Sequence, residues 1–160
     1  MLRCKLSASA GSKEARLIRP ATDLDLPRIR SLLESCGLPT ADLGVARPDF
    51  LVACEGPLIH AVGAIERFGE TGLLRSLAVA PEQRGEGVGR ALVAALEGHA
   101  RSHSLRELVL LTQTARQFFE GCGYQVIDRE SAPVAVQPSE EFRSLCPTCA
   151  CCMAKRLSGP

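Results

Sequence analysis

The chain has 160 residues and a mass of 17.1 kDa, the length of one compact domain with a real core. Its 46% hydrophobic and 23% charged residues are those of a soluble globular protein, and 19 basic against 18 acidic side chains leave a net charge of +1, so no field steers it toward nucleic acid or an anionic membrane. The longest uncharged apolar-rich stretch, residues 58–65, is far short of the ~20 residues that a membrane span requires.

The first ten residues lack a continuous apolar run, so secretion is not expected and the eight cysteines read as reduced thiols of a cytoplasmic protein. Residues 1–15 read as a flexible N-terminal segment, 16–157 as the folded domain and 158–160 as a C-terminal tail. Arg16-Leu17-Ile18-Arg19 alternates as a strand does, and Pro20 closes it. Thr22 and Asp25 offer alternative caps for a helix with Leu26, Ile29, Leu32, Leu33 and Cys36 on one side, ending at Gly37. Residues 38–48 are a connector with room for one helical turn.

Residues 50–54 and 58–68 read as a hairpin turned at Glu55-Gly56-Pro57, and a second turn over 69–72 leads into a strand over 73–79. From Gly87 the period changes, with Val88, Ala91, Leu92, Ala95, Leu96 and His99 at helical spacing to about residue 102. Leu108-Val109-Leu110-Leu111 is a strand buried on both faces. A short helix with Ala115, Phe118, Phe119 and Cys122 inside stops at Gly123, and residues 124–127 and 151–157 give two last strands. The order β-α-β-β-β-α-β-α-β-β predicts an α/β fold, a single mixed sheet of about six to seven strands flanked by helices on both faces.

The segment with most chemical content joins the strand over 73–79 to the long helix. In Arg84-Gly85-Glu86-Gly87-Val88-Gly89-Arg90, three glycines in five positions let successive N–H groups point into one concavity, and the new helix adds its unpaired first-turn donors. That is an anion site suited to a pyrophosphate. It lacks the Gly-Lys-Ser/Thr ending of a P-loop, and it follows three meandering strands where a Rossmann turn would open the fold.

Arg84-x-x-Gly87-x-Gly89 behind Leu77-Ala78-Val79-Ala80-Pro81 resembles motif A of the GNAT superfamily of acetyl-CoA-dependent N-acetyltransferases, and residues 115–124 resemble that superfamily's Ala-x-x-Phe-Tyr-x-x-x-Gly-Phe segment. Within it, residues 73–79 with Ser144-Leu145-Cys146-Pro147 and Cys152-Met153 resemble the arsenic-resistance N-acetyltransferase subgroup. The resemblance implies acetyl-CoA as cosubstrate with no metal, its pantetheine arm on the backbone of Leu77, Ala78 and Val79 and its pyrophosphate on residues Arg84, Gly85, Glu86, Gly87, Val88 and Gly89. Arg90 and Phe118 would flank it. It also implies direct attack of a neutral amine on the thioester, with the Leu77 N–H as oxyanion donor.

The superfamily's acidic tyrosine is replaced here by Phe119, which has no proton to give, while Tyr124 starts a strand, where packing is the expected role. A coenzyme thiolate, with a pKa near ~8.5 by analogy with cysteine, leaves without much help. Glu66, the one carboxylate of its strand, is the candidate base; a solvated strand-end charge is the alternative. A lysine-type amine of pKa about 10.4 costs ~4 kcal/mol to deprotonate near neutrality, an α-amine near ~7.7 much less, so weak base machinery favours an α-amine.

Arg75, placed by simple alternation on the face of Leu73, Leu77 and Val79, must find a partner. It either forms a structural salt bridge or, helped by Ser76, grips an acceptor carboxylate with its bidentate fork. Arg47 is a second carboxylate candidate. His60, His99 and His103 show no metal-ligand spacing and read as structural or exposed.

Four thiols fall in residues 146–152, but no second Cys pair stands at zinc-site distance. Alternation puts Cys149 and Cys151 on one face and Cys152 on the other. They serve either as core residues or as ligands for a thiophilic species such as trivalent arsenic. Three functions follow in order: acetylation of a small amino-acid-like amine, an arsenical amino acid among the acceptors that the arsenic-resistance resemblance implies, with a homodimer as a possible assembly; protein N-terminal acetylation; and non-catalytic metalloid binding.

Overall fold

The computed structural model describes residues 16–145, 147 and 149–158. Seven strands form one sheet: β1 (Leu17–Pro20), β2 (Asp49–Glu55), β3 (Leu58–Phe68), β4 (Thr71–Val79), β5 (Glu107–Thr112), β6 (Gln125–Ile127) and β7 (Cys151–Arg156), in the spatial order β1-β2-β3-β4-β5-β7-β6. All neighbours are antiparallel except β4 and β5, which run parallel. That pair needs a crossover, and the 15-residue helix α3 (Val88–Ser102) supplies it. The other helices are α1 (Leu26–Ser35), the single turn α2 (Leu43–Ala46) and α4 (Arg116–Gly121).

Alternation along the strands sorts the core into two layers. Leu51 and Ala53 of β2 and Ala61 and Ile65 of β3 pack with Leu92, Val93, Leu96 and Ala100 of α3. Their neighbours Phe50, Val52, Val62 and Ala64 pack on the other face with Ile29 and Leu33 of α1 and Leu43 of α2. Both faces being covered, β2 and β3 read as near-continuous apolar runs. A third cluster joins Leu73, Val109 and Cys152 to Ala132 and Val136 of the 129–145 segment.

The predicted elements are found with small shifts of boundary: β4 starts at Thr71, and Tyr124 sits one residue before β6. Residues 129–145, unassigned by pattern, fold into two 3₁₀ turns, Arg129–Ser131 and Val134–Val136, and a π-helical turn, Glu141–Leu145. They have no apolar period because each turn is too short to repeat one.

Candidate functional site

The site begins as an interruption of the sheet. Val62 pairs with Ala78 and Ala64 with Arg75, so Ser76 and Leu77 of β4 stand opposite the single residue Gly63 of β3. Ser76 takes up the extra residue with φ of +55°, a left-handed conformation rare in a side chain other than glycine. On the other edge, β4 and β5 are paired only from Thr71 with Glu107 to Leu73 with Val109. Beyond Leu73 the parallel strands part, and two connected clefts open between and beside them.

The bulge also changes which way β4 faces. Leu74, Leu77 and Val79 lie toward α3, whereas Ala78 lies toward α1. Arg75, directly opposite Ala64 of the α1 layer, therefore does not share a face with Leu77 and Val79. Simple alternation assumed an unbroken strand, and the extra residue at Ser76 inverts it.

The first cleft, of about 540 Å³, is lined by Leu77, Ala78 and Val79 on the strand, by Arg84, Gly85, Gly87, Val88, Gly89 and Arg90 around the glycine turn, and by Phe118 of α4. Gly85 and Gly87 have φ of +80° and +82°, conformations that favour glycine. Gly87 caps α3 without a side-chain hydrogen bond, leaving the first-turn N–H groups for a ligand. Gly89 is needed for closeness, since a Cβ there would stand 3.3 Å from Phe118 Cζ. The concavity fits a pyrophosphate by donor chemistry and by space.

Arg84 Nε donates to the Val79 carbonyl at 3.0 Å, tying the turn to the strand, and Arg90 Nη1 donates to the Gly121 carbonyl at 3.0 Å. Glu86 is the one predicted cofactor residue outside the cleft lining: it is exposed and accepts a hydrogen bond from Arg16 Nη2. A carboxylate turned away is what an anion site requires.

The second cleft, of about 420 Å³, shares Cys36, Leu38, Leu77, Thr114 and Ala115 with the first and continues along β5 to Phe119, Arg75, Ser76 and Glu141. Arg75 and Glu141 of that lining belong to an ion cluster drawn from four elements. Arg75 Nη1 and Nη2 donate to Asp42 Oδ2 and Oδ1 at 2.5 and 2.7 Å, Nη1 also reaches Glu66 Oε2 at 3.0 Å, and Nε lies 3.4 Å from Glu141 Oε1. The Arg75 side chain is 0% exposed. Burial pulls its pKa down, but Asp42, Glu141 and Glu66 together raise it, so the guanidinium stays charged.

Of the two readings of Arg75, the arrangement matches the structural salt bridge, and a grip on a substrate carboxylate would have to compete with these partners. The Arg75 fork is already taken bidentately by Asp42 and flanked by two further carboxylates, and a buried charge surrendered by such partners would be uncompensated. Glu66, the candidate base, belongs to the same cluster but is not among the residues lining the cleft. Glu141 is, and the sequence reading did not include it. Burial pushes its carboxyl up to about 7, Asp42 and Glu66 push the same way, and Arg75 opposes them. Arg47, exposed with φ of +44° after α2, lines neither cleft.

Phe119 lines the second cleft and stacks edge-on with Tyr124, ring centroids 5.6 Å apart. Tyr124 is buried outside both clefts, and among the described residues its hydroxyl makes no hydrogen bond of good geometry, although Glu97 lies close to it. Burial raises the pKa of that phenol, with Glu97 adding to the effect, which suits packing and not proton transfer. Among the thiols, Cys151 packs toward α3 and Cys152 into the opposite layer with Leu73 and Val109, where burial pushes its pKa up to about 11. Cys149 is exposed, and Cys146 lies outside the described residues.

His99 on α3 is half-buried and His103, at its C-cap, is exposed; each brings a ring nitrogen to within 4.8 Å of an Asp49 oxygen and of the other. Asp49 Oδ2 is already met by His99 Nε2 at 3.1 Å and by the charged Arg67 Nε at 3.0 Å, so the carboxylate has a charge partner in Arg67.

The family of the acetyltransferase (GNAT) domain matches residues 46–126, just over half of the chain. No curated protein matches by sequence. Among solved structures, N-acetylglutamate synthase from Neisseria gonorrhoeae, complexed with coenzyme A and N-acetyl-glutamate, is 22% identical with a TM-score of 0.76 over 89% of this chain and 35% of that one. The chain thus spans about a third of the synthase. The Rv2747 protein from Mycobacterium tuberculosis, in complex with CoA and NLQ, is 23% identical with a TM-score of 0.70, covering 89% of this chain and 99% of that one. The ribosomal-protein-S18-alanine N-acetyltransferase from Escherichia coli is 18% identical with a TM-score of 0.68, covering 91% and 96%. At these identities the likeness is one of fold.

Proposed function

The chain belongs to the GNAT acetyltransferase domain family, and on that premise we propose that it transfers the acetyl group of acetyl-CoA to the primary amine of an acceptor held in the second cleft. The observation that carries the reading is the union of the two clefts at Leu77. The glycine turn offers uncapped N–H groups to a pyrophosphate, and the strand from Leu77 to Val79, unpaired on its β5 side, offers backbone groups to an extended arm. Acetyl-CoA supplies a thioester, whose carbonyl an N–H near the bulge at Leu77 would polarise. With Phe119 in the acid's position, the coenzyme sulfur leaves as a thiolate.

Two acceptor classes remain, and the ion cluster supports one over the other. An amino acid carries a carboxylate beside its amine and needs a free cation, yet Arg75 is the one charged base lining the second cleft among the described residues and is fully engaged. A peptide N-terminus or another α-amine without a neighbouring carboxylate carries no such need, and this reading takes precedence over the small amino-acid-like acceptor. An arsenical amino acid meets the same obstacle, and the described strand thiols Cys151 and Cys152 point into opposite layers, which lends no support to a shared metalloid site.

The test is thiol release from acetyl-CoA with three amine sets: free amino acids, their amides, and short peptides. Release with amides and peptides above free amino acids supports the reading. Release with free amino acids alone returns the first place to the small acceptor, and none with any amine removes acetyl transfer.

A further inference from the structure

Resting on the acetyl-transfer reading above, we infer that Glu141 is the catalytic group that takes the proton from the acceptor's ammonium, with Asp42, Arg75 and Glu66 as positioning residues that fix its carboxylate. Glu141 is the one carboxylate lining the second cleft among the described residues, and that cleft also contains Leu77, beside which the thioester would lie. Its side chain is only 7% exposed, so its affinity for a proton is set by the protein and not by water.

The charges around it give the physical reason. Arg75 brings one positive charge from β4; Asp42, at the cap of α2, Glu66 of β3 and Glu141 bring three negative ones. Asp42 takes the fork of the guanidinium at 2.5 and 2.7 Å and Glu66 lies at 3.0 Å, while Glu141 has the longest approach, 3.4 Å, to Nε. On its own turn, Glu140 and Arg143 are exposed and pair with each other. Glu141 is therefore the least compensated carboxylate of an over-negative buried group. Such a group is relieved by a cation or by a proton, and an ammonium delivers first one and then the other.

The step balances. The ammonium gives one proton to the Glu141 carboxylate; the freed nitrogen pair forms the C–N bond to the acetyl carbon. The C–S bond breaks with its electron pair going to sulfur, and the second nitrogen proton goes to that thiolate. Acetylamide, coenzyme A thiol and protonated Glu141 result, and Glu141 returns its proton to solvent. A carboxyl held at about 7 lies close to an α-amine near ~7.7 but about three units from a lysine near ~10.4, so the transfer is nearly balanced only for the former.

The test uses the full chain, acetyl-CoA and a short peptide amide. Glu141→Gln is expected to lower kcat by about 10²-fold and to remove the acidic limb near neutrality from the pH profile of kcat, while affinity for coenzyme A stays at the wild-type value. A limb belonging to the amine would survive the substitution. Glu141→Ala should regain rate with added formate, which a merely structural role would not allow. Wild-type kcat and an unmoved limb in Glu141→Gln, or loss of the limb in Glu66→Gln instead, would overturn the assignment. Should Glu141→Gln not fold, Glu141→Asp is read: a lowered kcat with a displaced limb supports the role, and an unaltered profile overturns it. An inactive wild type with every amine defeats acetyl transfer itself, a separate outcome because it is scored before any variant.

Discussion

Asp42 and Arg75 meet end to end, both carboxylate oxygens accepting from both terminal nitrogens at 2.5 and 2.7 Å, with neither side chain exposed beyond 7%. The pair links α2 to β4 across residues 33 apart in sequence, and it bears on what the second cleft can bind. Asp42→Asn breaks the two-pronged charge-assisted hydrogen bond but leaves Glu66 and Glu141 to balance the guanidinium. It is expected to cost about 1.5–3 kcal/mol of stability, read from urea denaturation with an unchanged slope. Arg75→Leu should be at least as damaging, because it leaves three carboxylates together.

Glu141 should leave a signature in stability as well as in rate. Its folded pKa of about 7 lies above the unfolded value near ~4.3. Its contribution is therefore fully present below the unfolded value and lost as pH rises through 7, since the folded state binds the proton more tightly. Glu141→Gln mimics the protonated form and lacks this loss. The stability of the variant relative to wild type should rise between about pH 4.5 and about pH 8 by on the order of 3 kcal/mol, measured by denaturation across that range.

Gly63 faces the bulge from β3, and a Cβ there would meet Leu96 Cδ1 at 2.6 Å and Leu77 Cδ1 at 3.0 Å. Gly63→Ala should cost about 1–3 kcal/mol by overpacking. Because Leu77 is one of the two side chains pushed, the KM for acetyl-CoA should rise with it, whereas an unchanged KM would show that α3 alone absorbs the strain.

Tyr124→Phe removes a buried hydroxyl for which the described residues supply no hydrogen bond of good geometry, and which stands close to the Glu97 carboxylate. A buried polar group without a hydrogen bond is a cost, so the thermal midpoint should hold or rise. The acetylation rate should not fall; a fall would make the tyrosine part of the chemistry.

The glycine turn was legible because its geometry forces its composition: Gly85 and Gly87 at positive φ and Gly89 under Phe118 leave almost no other residue possible. All predicted cofactor residues but Glu86 line one cleft. The bulge was not legible, because Ser76 adopts its positive φ with a residue that betrays nothing, and one extra residue is enough to turn Leu77 and Val79 away from the face of Arg75. Glu141 was missed for another reason. Residues 129–145 carry no period, so nothing in the sequence said which of their carboxylates returns to the sheet. The one available signal was the demand of Arg75 itself: a charge inside an apolar strand requires carboxylates from somewhere, and the pair Glu140-Glu141 was among the few at hand.

Under the proposed function, the parting of β4 and β5 after Leu73 and Val109 also bears on the kinetic order of events. The parted strands belong to one continuous sheet, and the two clefts meet along Cys36, Leu38, Leu77, Thr114 and Ala115 while having separate linings beyond them. Donor and acceptor can then occupy the protein together. Initial rates measured at several acceptor concentrations should give double-reciprocal lines that converge, the mark of a ternary complex, and not the parallel lines of an enzyme that must release one product before admitting its second substrate.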